Sequence, residues 1–195
     1  RKVGHTVGGG TRLAGADLVV GANGAFSWVR AENEAGFGTR IDWRPNRFIW
    51  YGTSNTDWNA SGNWSSAGVP PSGADITIAT VGSNQPILPG AFATGPLMIN
   101  AGSTLILNGN TLTLNNVVRG PGTFTGSPTS NLVVADSCGV LNFDQSLPAN
   151  RSLNLLTLNQ GSSATIGSGI LEVFGPLSLP RSSRLTVNTA NLISH

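Results

Sequence analysis

Charged residues are scarce in this sequence, and this scarcity argues against partners that are bound through clustered charge. Asp, Glu, Lys and Arg make up 10% of the 195 residues, whereas about 25% is usual in a globular domain. The net charge is only +2, and the basic pI of 9.3 comes from arginines that are spread thinly along the chain. We therefore expect no nucleic-acid partner, because that binding needs clustered Lys and Arg.

Cysteine, histidine and long apolar runs are also nearly missing. Cys138 is the only cysteine, and His5 and His195 lie at the two ends of the chain. One thiol cannot form an internal disulfide, and these three residues do not make a nitrogen and sulfur ligand set for a metal. We therefore predict a buried Cys138 thiol and no catalytic, metal or cofactor site. We also predict no membrane insertion, since no run approaches the roughly 18 apolar residues of a membrane helix.

Short alternating segments, separated by Gly, Asn, Ser and Pro, fill the chain from Ala74 onward. Apolar residues two positions apart, with a polar residue between them, indicate strands with one buried face. Strands this short favour a solenoid over a sandwich, whose strands usually have about five or six residues. The segments are Ile76–Ile78, Leu97–Ile99, Leu105–Leu107, Leu112–Leu114, Leu132–Val134, Leu141–Phe143, Leu153–Leu155, Leu156–Leu158, Ala164–Ile166, Ile170–Val173, Leu177–Leu179 and Leu185–Val187.

The sequence therefore predicts an all-β protein with a parallel, right-handed β-helix over residues 74–195. About six coils of about 20 residues fit this length, and a twisted β-sandwich is the alternative fold. Thr113 and Thr157 are predicted to point outward. The residues predicted to be buried are Leu105, Leu107, Leu112, Leu114, Leu156, Leu158, Leu185 and Val187.

Aromatic composition divides the chain into three parts. All five tryptophans precede Ser65, and the run Pro70-Pro71-Ser72-Gly73 forms a join. Residues 1–47 are predicted to be the closing coils of a preceding β unit, or a linker. Residues 48–73 are predicted to be a Trp-rich opening or capping segment, and residues 74–195 the solenoid.

The Trp-rich segment also carries a family resemblance. Its motifs are Phe48-Ile49-Trp50-Tyr51-Gly52, Asp57-Trp58-Asn59, Gly62-Asn63-Trp64, Val69-Pro70 and Asp75-Ile76-Thr77-Ile78. This series resembles the opening of repeat units in large, repetitive, adhesin-like cell-surface proteins of Bacteroidetes, in which such a stretch leads into a β-helix. Further segments, among them Leu97–Leu105 and Gly139–Gln145, resemble later parts of the same pattern, and the resemblance covers about residues 48–190.

The resemblance implies export through the outer membrane, usually by the type IX secretion system, and a role in adhesion, gliding or surface structure. The chain lacks a signal peptide and a C-terminal sorting domain, so we expect it to be an internal fragment of such a protein. The expected function is that of a non-enzymatic, extracellular structural or adhesive module at the cell surface. Its expected partners are neighbouring modules of the same chain, other surface proteins and surface glycans.

Trp50, Trp58 and Trp64 are the candidate functional residues, and two interpretations stand for them. Exposed indoles beside Asn55, Asn59 and Asn63 could stack on sugar rings, because the indole face supplies apolar area. Alternatively, the indoles cap the solenoid, because an open end exposes apolar core and unpaired strand edges. The cap interpretation predicts that all three side chains are buried.

Parallel β-helices also suit enzymes that act on polysaccharides, so a lyase or hydrolase fragment is the alternative function, together with a carbohydrate-binding module. Glycoside hydrolysis needs two carboxyl groups that face the substrate, and lyases need acidic calcium ligands and a base. The acids of the solenoid segment are Asp75, Asp136, Asp144 and Glu172. We interpret them as isolated charges that face the solvent.

Overall fold

The computed structural model describes residues 47–65, 68–79 and 82–195, which belong to one unit that spans Arg44–His195. The predicted closing coils or linker at residues 1–47 therefore lie outside the described residues, except for Arg47. In the described part, 15 strands and two short 3-10 helices, Ser61–Asn63 and Pro148–Arg151, make up the regular structure. The strands are β1 (Arg47–Trp50), β2 (Asp75–Ile78), β3 (Phe92–Thr94), β4 (Leu97–Ile99), β5 (Thr104–Ile106), β6 (Thr111–Leu114), β7 (Val118–Arg119), β8 (Thr123–Thr125), β9 (Asn131–Val134), β10 (Gly139–Leu141), β11 (Ser152–Leu153), β12 (Leu155–Leu158), β13 (Ser163–Val173), β14 (Leu177–Ser178) and β15 (Arg184–Ser194).

The strands stack into three ladders, one on each side of a solenoid. The first ladder has eight strands, in the order β1-β2-β4-β7-β10-β13-β11 with β15 also paired to β13, and the second runs β3-β6-β9-β12-β14. The third pairs β5 with β8, and single bridges such as Ile87–Ile106 and Phe124–Phe143 extend it. Every described strand pair is parallel. The predicted parallel β-helix is confirmed, and the β-sandwich alternative is wrong because, among residues 47–65, 68–79 and 82–195, no hairpin joins successive strands.

A regular repeat length relates successive coils of the first ladder. Ile76 pairs with Leu97, and Leu97 pairs with Val118, so the partners are 21 residues apart. The same interval separates Val118 from Gly139 and Ala164 from Leu185. Six strands of this ladder, β2, β4, β7, β10, β13 and β15, stack one per coil within residues 74–195, which agrees with the predicted number of about six coils. Because β1 precedes them in the ladder, the Trp-rich segment supplies the first strand of the solenoid.

Alternating side chains of each strand fill the interior. Leu112 and Leu114 in β6 are fully buried, and Thr113 between them is half-buried on the outer side. Leu156, Leu158 and Thr157 repeat this pattern in β12, as a strand with one core-facing side requires. The prediction of burial is also confirmed for Leu105 and Leu107.

The same prediction is wrong for two residues of the last coil. Leu185 is half-buried and Val187 is 39% exposed, although both continue the interior columns of Ala164 and Ile166. A side chain inside a solenoid is covered by the coils on both sides of it. In the described chain β15 pairs with β13 alone, so these side chains are covered on one side only.

Close approach between coils requires glycine at some corners. Gly120 has a φ of +91°, and a Cβ there would collide with the carbonyl oxygen of Ile99 in the preceding coil. Only glycine combines that backbone conformation with the absence of a side chain. The glycines between the short strands therefore set how tightly successive coils can stack.

Candidate functional site

The Trp-rich segment forms a loop that returns to the strand from which it starts. The chain leaves β1 at Trp50, and Trp64 comes back to form an antiparallel bridge with it. The Tyr51 amide donates to the Asn63 carbonyl at 2.8 Å, and the Ser65 amide donates to the Ile49 carbonyl at 2.9 Å. The outer edge of the first strand is thus already paired by residues of the same loop.

The three indoles pack against one another inside this loop. The ring centroid of Trp64 lies 5.0 Å from that of Trp50 and 4.8 Å from that of Trp58, both in edge-to-face geometry. The Trp64 Nε1 donates to the Trp58 carbonyl at 2.8 Å, and the Trp50 Nε1 donates to the Asn84 carbonyl at 2.9 Å. Buried indoles need such partners for their N–H groups, so the cluster leaves neither of these two donors unsatisfied.

The cluster also contacts the end of the solenoid core. Trp58 lies against Phe92, the first residue of β3, with the ring centroids 5.0 Å apart. Trp64 lies edge-on against Phe48 of β1 at 6.4 Å. Since β1 and β3 begin the first and second ladders, the indoles cover two sides of the same end of the solenoid.

Burial of the three side chains is nearly complete. The exposed fractions are 0% for Trp50, 1% for Trp58 and 4% for Trp64. The cap interpretation predicts this burial, whereas a sugar platform requires an indole face that is open to solvent. The further expectation that the indoles attach the solenoid to the preceding segment concerns residues outside the described ones.

Asn63 organises the loop, a role that reasoning from the sequence missed. Its side chain is fully buried, and its Nδ2 donates to the Asn55 carbonyl, the Asn55 Oδ1 and the Asp57 carbonyl at 2.9 to 3.2 Å. Its Oδ1 accepts from the Ser54 amide at 3.0 Å. The amide group therefore binds its own loop rather than a ligand. The sequence offered one signal for this role: Asn63 lies between Gly62 and Trp64, and an Asn beside a Gly is typical of a turn.

The acidic residues of the solenoid take part in structural contacts. Glu172 lies 3.5 Å from the Arg151 Nε and 3.8 Å from the His195 Nε2, so its interpretation as an isolated charge is wrong. Asp136 accepts a hydrogen bond from the Ser137 amide at 2.7 Å. Within the described ranges, no group of three or more His, Cys, Asp or Glu residues is placed to hold a metal ion.

Asp144 stabilises the loop between β10 and β11. Its carboxylate accepts from the amide and hydroxyl of Ser146, each at 2.9 Å, and from the Asn150 Nδ2. Partial burial opposes ionisation, but these hydrogen bonds outweigh it and hold the pKa of Asp144 below its ordinary value. This loop lengthens one step of the first ladder, since Gly139 pairs with Ala164, 25 residues on.

Cys138 is a core residue, as the sequence predicts. Its side chain is fully buried, and burial raises the pKa of the thiol to about 12. A thiol nucleophile reacts as the thiolate, which needs a lowered pKa. The arrangement therefore makes Cys138 an inert packing group.

The comparisons with known proteins place the chain in a family without assigning an activity. No curated protein and no solved structure gives a significant match. In the described part of the chain, no helix has the length and apolar character that a membrane span requires. The model of the family described as "Domain of unknown function (DUF8693)" matches residues 49–154, which run from β1 through the Trp-rich loop and the middle coils. Since this match covers more than half of the sequence, the chain belongs to the DUF8693 family.

Proposed function

We propose that this chain is a non-enzymatic structural and adhesive module of a large extracellular surface protein. One observation carries the proposal: a solenoid with a closed first end presents side chains outward in rows, in a fixed register. Coils of about 4.8 Å spacing give such rows a regular geometry. A rigid, repetitive surface of this kind suits contact with other extended surfaces.

The first ladder illustrates the outer rows. In this ladder Met98 is the register partner of Arg119 in the next coil. Further along, Val140 is the partner of Thr165, and Thr165 is the partner of Thr186. Val140 is 47% exposed, and Arg119 is exposed as well. The row therefore combines apolar, hydroxyl and cationic groups over several coils, and we expect this row to make the adhesive contacts.

The location at the surface of a bacterial cell rests on the sequence. The series of Trp, Asn-Trp and Val-Pro motifs that leads into Asp75–Ile78 resembles the openings of repeat units in secreted Bacteroidetes surface proteins. We therefore propose type IX secretion and neighbouring modules of the same polypeptide as the context of this chain. Antibodies against the purified chain should label intact cells of its source; labelling that requires lysis would contradict the location.

The engagement of the solenoid acids supports a non-enzymatic module over a lyase or hydrolase fragment. Asp144 binds its own loop and Glu172 binds Arg151. The burial of the indoles likewise disfavours glycan binding through Trp50, Trp58 and Trp64. Glycan binding by the outer rows remains compatible with the proposal, because adhesion to surface polysaccharide is one form of it.

Retention and turnover assays with the purified chain test this function. We expect retention on immobilised surface polysaccharides or surface proteins, with no degradation of any polysaccharide. Val140→Lys on the proposed row should weaken retention, whereas Val133→Lys, the same exchange on the second ladder, should not. Turnover of a polysaccharide would overturn the non-enzymatic assignment, and equal effects of the two variants would overturn the assignment of the row.

A further inference from the structure

Three segments of the sequence match the pattern Asn-x-Ser, in which the asparagine can accept an N-linked glycan. They are Asn59-Ala60-Ser61, Asn63-Trp64-Ser65 and Asn150-Arg151-Ser152. Transfer of a glycan needs an asparagine amide and a serine hydroxyl that an enzyme can reach, because both groups bind in the site of the transferase. The structure therefore distinguishes three segments that are equivalent in the sequence pattern.

The segment that begins at Asn63 is closed to an enzyme. The Asn63 side chain is fully buried, and its Nδ2 donates to three acceptors of its own loop. The hydroxyl of Ser65 accepts a hydrogen bond from the Ile49 amide at 3.0 Å. Glycan transfer to Asn63 would therefore require the Trp-rich loop to unfold.

The segment that begins at Asn150 is engaged in a similar way. The Asn150 Nδ2 donates to the Asp144 Oδ2 at 2.6 Å and to the Ser146 Oγ at 3.0 Å. Ser152 is 1% exposed, and its hydroxyl donates to the Pro148 carbonyl at 2.7 Å. The two groups that a transferase must bind are thus both used by the loop between β10 and β11.

The segment that begins at Asn59 is open. Asn59 and Ser61 are exposed, and within the described residues neither side chain takes part in a hydrogen bond. The turn is held by its backbone instead, since the Asn59 amide donates to the Asp57 Oδ1 at 2.9 Å and the Ala60 amide donates to the Asp57 carbonyl at 3.1 Å. This turn therefore presents an amide and a hydroxyl, two residues apart, with no competing internal partner.

We propose that Asn59 is the acceptor of an N-linked glycan, and that the fold excludes the other two segments. The donor is an oligosaccharide joined to a polyprenyl pyrophosphate. The Asn59 Nδ2 forms a bond to the anomeric carbon of the first sugar, and the bond from that carbon to the pyrophosphate oxygen breaks. The polyprenyl pyrophosphate leaves with the electron pair, and one amide proton passes to a base of the transferase.

The charge beside the acceptor favours the same segment. Asp57 lies two residues before Asn59 and is exposed, so its carboxylate can form charge-assisted hydrogen bonds with the transferase. The residue two positions before Asn63 is Ser61, and the residue two positions before Asn150 is Pro148. Neither of these is charged, so exposure and charge both select Asn59.

The inference rests on the proposed export, because an exported chain meets such donors after it has crossed the inner membrane. The glycan would stand on the Trp-rich loop, which follows β1, whereas Val140 of the proposed contact row lies in β10, the fourth strand after β1 in the first ladder. A bulky, hydrophilic glycan on this loop is compatible with an adhesive row in later coils.

Transfer to the purified, folded chain tests the acceptor without requiring export. The chain is incubated with a bacterial oligosaccharyltransferase and its undecaprenyl-pyrophosphate oligosaccharide, and intact and tandem mass spectrometry measure the product. We expect one glycan per chain, on Asn59. No transfer to the chain, while a standard acceptor peptide is glycosylated in the same reaction, would overturn the proposal, as would a glycan on Asn63 or Asn150. Absence of the chain from the cell surface would overturn the proposed location and leave this result standing.

Matched variants assign the acceptor. Asn59→Gln keeps the amide but moves it by one methylene, and it should abolish transfer, as should Ser61→Ala. Ser61→Thr keeps the hydroxyl and should retain the glycan, and Asn150→Gln, the same exchange in an engaged segment, should leave transfer unchanged. Circular dichroism should show that the variants at the exposed Asn59 and Ser61 are folded. A glycan that persists in Asn59→Gln, or that is lost in a folded Asn150→Gln, would contradict the assignment.

Discussion

The first and last described coils of the solenoid differ in how their apolar side chains and outer strand edges are covered. At the first end, three tryptophans with exposed fractions of 0%, 1% and 4% cover the core, and Ser65 pairs the outer edge of β1. At the last end, Val187 is 39% and Leu179 is 48% exposed, and the outer edge of β15 has no strand partner among the described residues. Within the described residues, coils of the same geometry thus differ in burial: the Trp-rich loop covers the first coil, and no described segment covers the outer side of β15.

The largest expected effect comes from removing the cover at the closed end. Trp64→Ala or Trp58→Ala should lower the free energy of unfolding by about 3–5 kcal/mol, because a large buried aromatic leaves a cavity. Leu179→Ala near the last described coil should cost about 1 kcal/mol or less, because its side chain is already half in water. Urea denaturation of dilute protein measures both. An unchanged midpoint for Trp64→Ala, together with lost binding to a surface polysaccharide, would reverse the assignment from cap to sugar platform.

A smaller effect tests whether coils stack equally tightly along the molecule. Gly120→Ala should cost about 2–4 kcal/mol, since strain at positive φ adds to a collision with the Ile99 carbonyl. Gly161, nearer the last described coil, has a φ of +81° but open space around its Cα. Gly161→Ala should therefore cost about 1–2 kcal/mol, the strain alone. Equal losses in thermal or urea unfolding would show that contact between coils contributes nothing at Gly120.

The loop between β10 and β11, which contains Asp144, should make the stability of the protein weakly dependent on pH. Asp144→Asn should cost about 1 kcal/mol or less, because it weakens hydrogen bonds of a partly exposed carboxylate. The folded pKa of Asp144 is lowered, so this stabilisation is present above the pKa of the unfolded chain and is lost as the pH falls through the folded value. The stability difference between wild type and Asp144→Asn should therefore shrink on acidification. Asp136→Asn is the control, and a difference that grows in acid would contradict the assignment.

The smallest expected signal comes from the core thiol between the ends. Cys138 in the native protein should not react with a thiol reagent at neutral pH, because burial raises the pKa of the thiol to about 12. Val140→Cys, two residues on and 47% exposed, should react at once. The slow residual reaction of Cys138 reports local opening of the coils. Fast labelling of the native wild type would show that the middle of the solenoid is not closed.

Local patterning was sufficient for the fold class. Alternating apolar residues in segments such as Leu112–Leu114 and Leu156–Leu158 indicate which side of a strand faces the core, and their shortness indicates a solenoid. The concentration of tryptophan before Ser65 indicates a special segment there. These features are local, so they can be identified without knowing which strands pair.

The contacts between distant residues required the tertiary structure. Val187 shows the same alternation as the fully buried Leu114 and yet is exposed, because burial depends on whether a coil lies on each side. The pairing of Glu172 with Arg151 depends on a register that joins separate coils. Asn63 resembles any turn residue in the sequence, and only the folded loop brings three acceptors to its amide. The sequence alone thus determined which residues can face a core, whereas the stacking of coils decided which of them are covered.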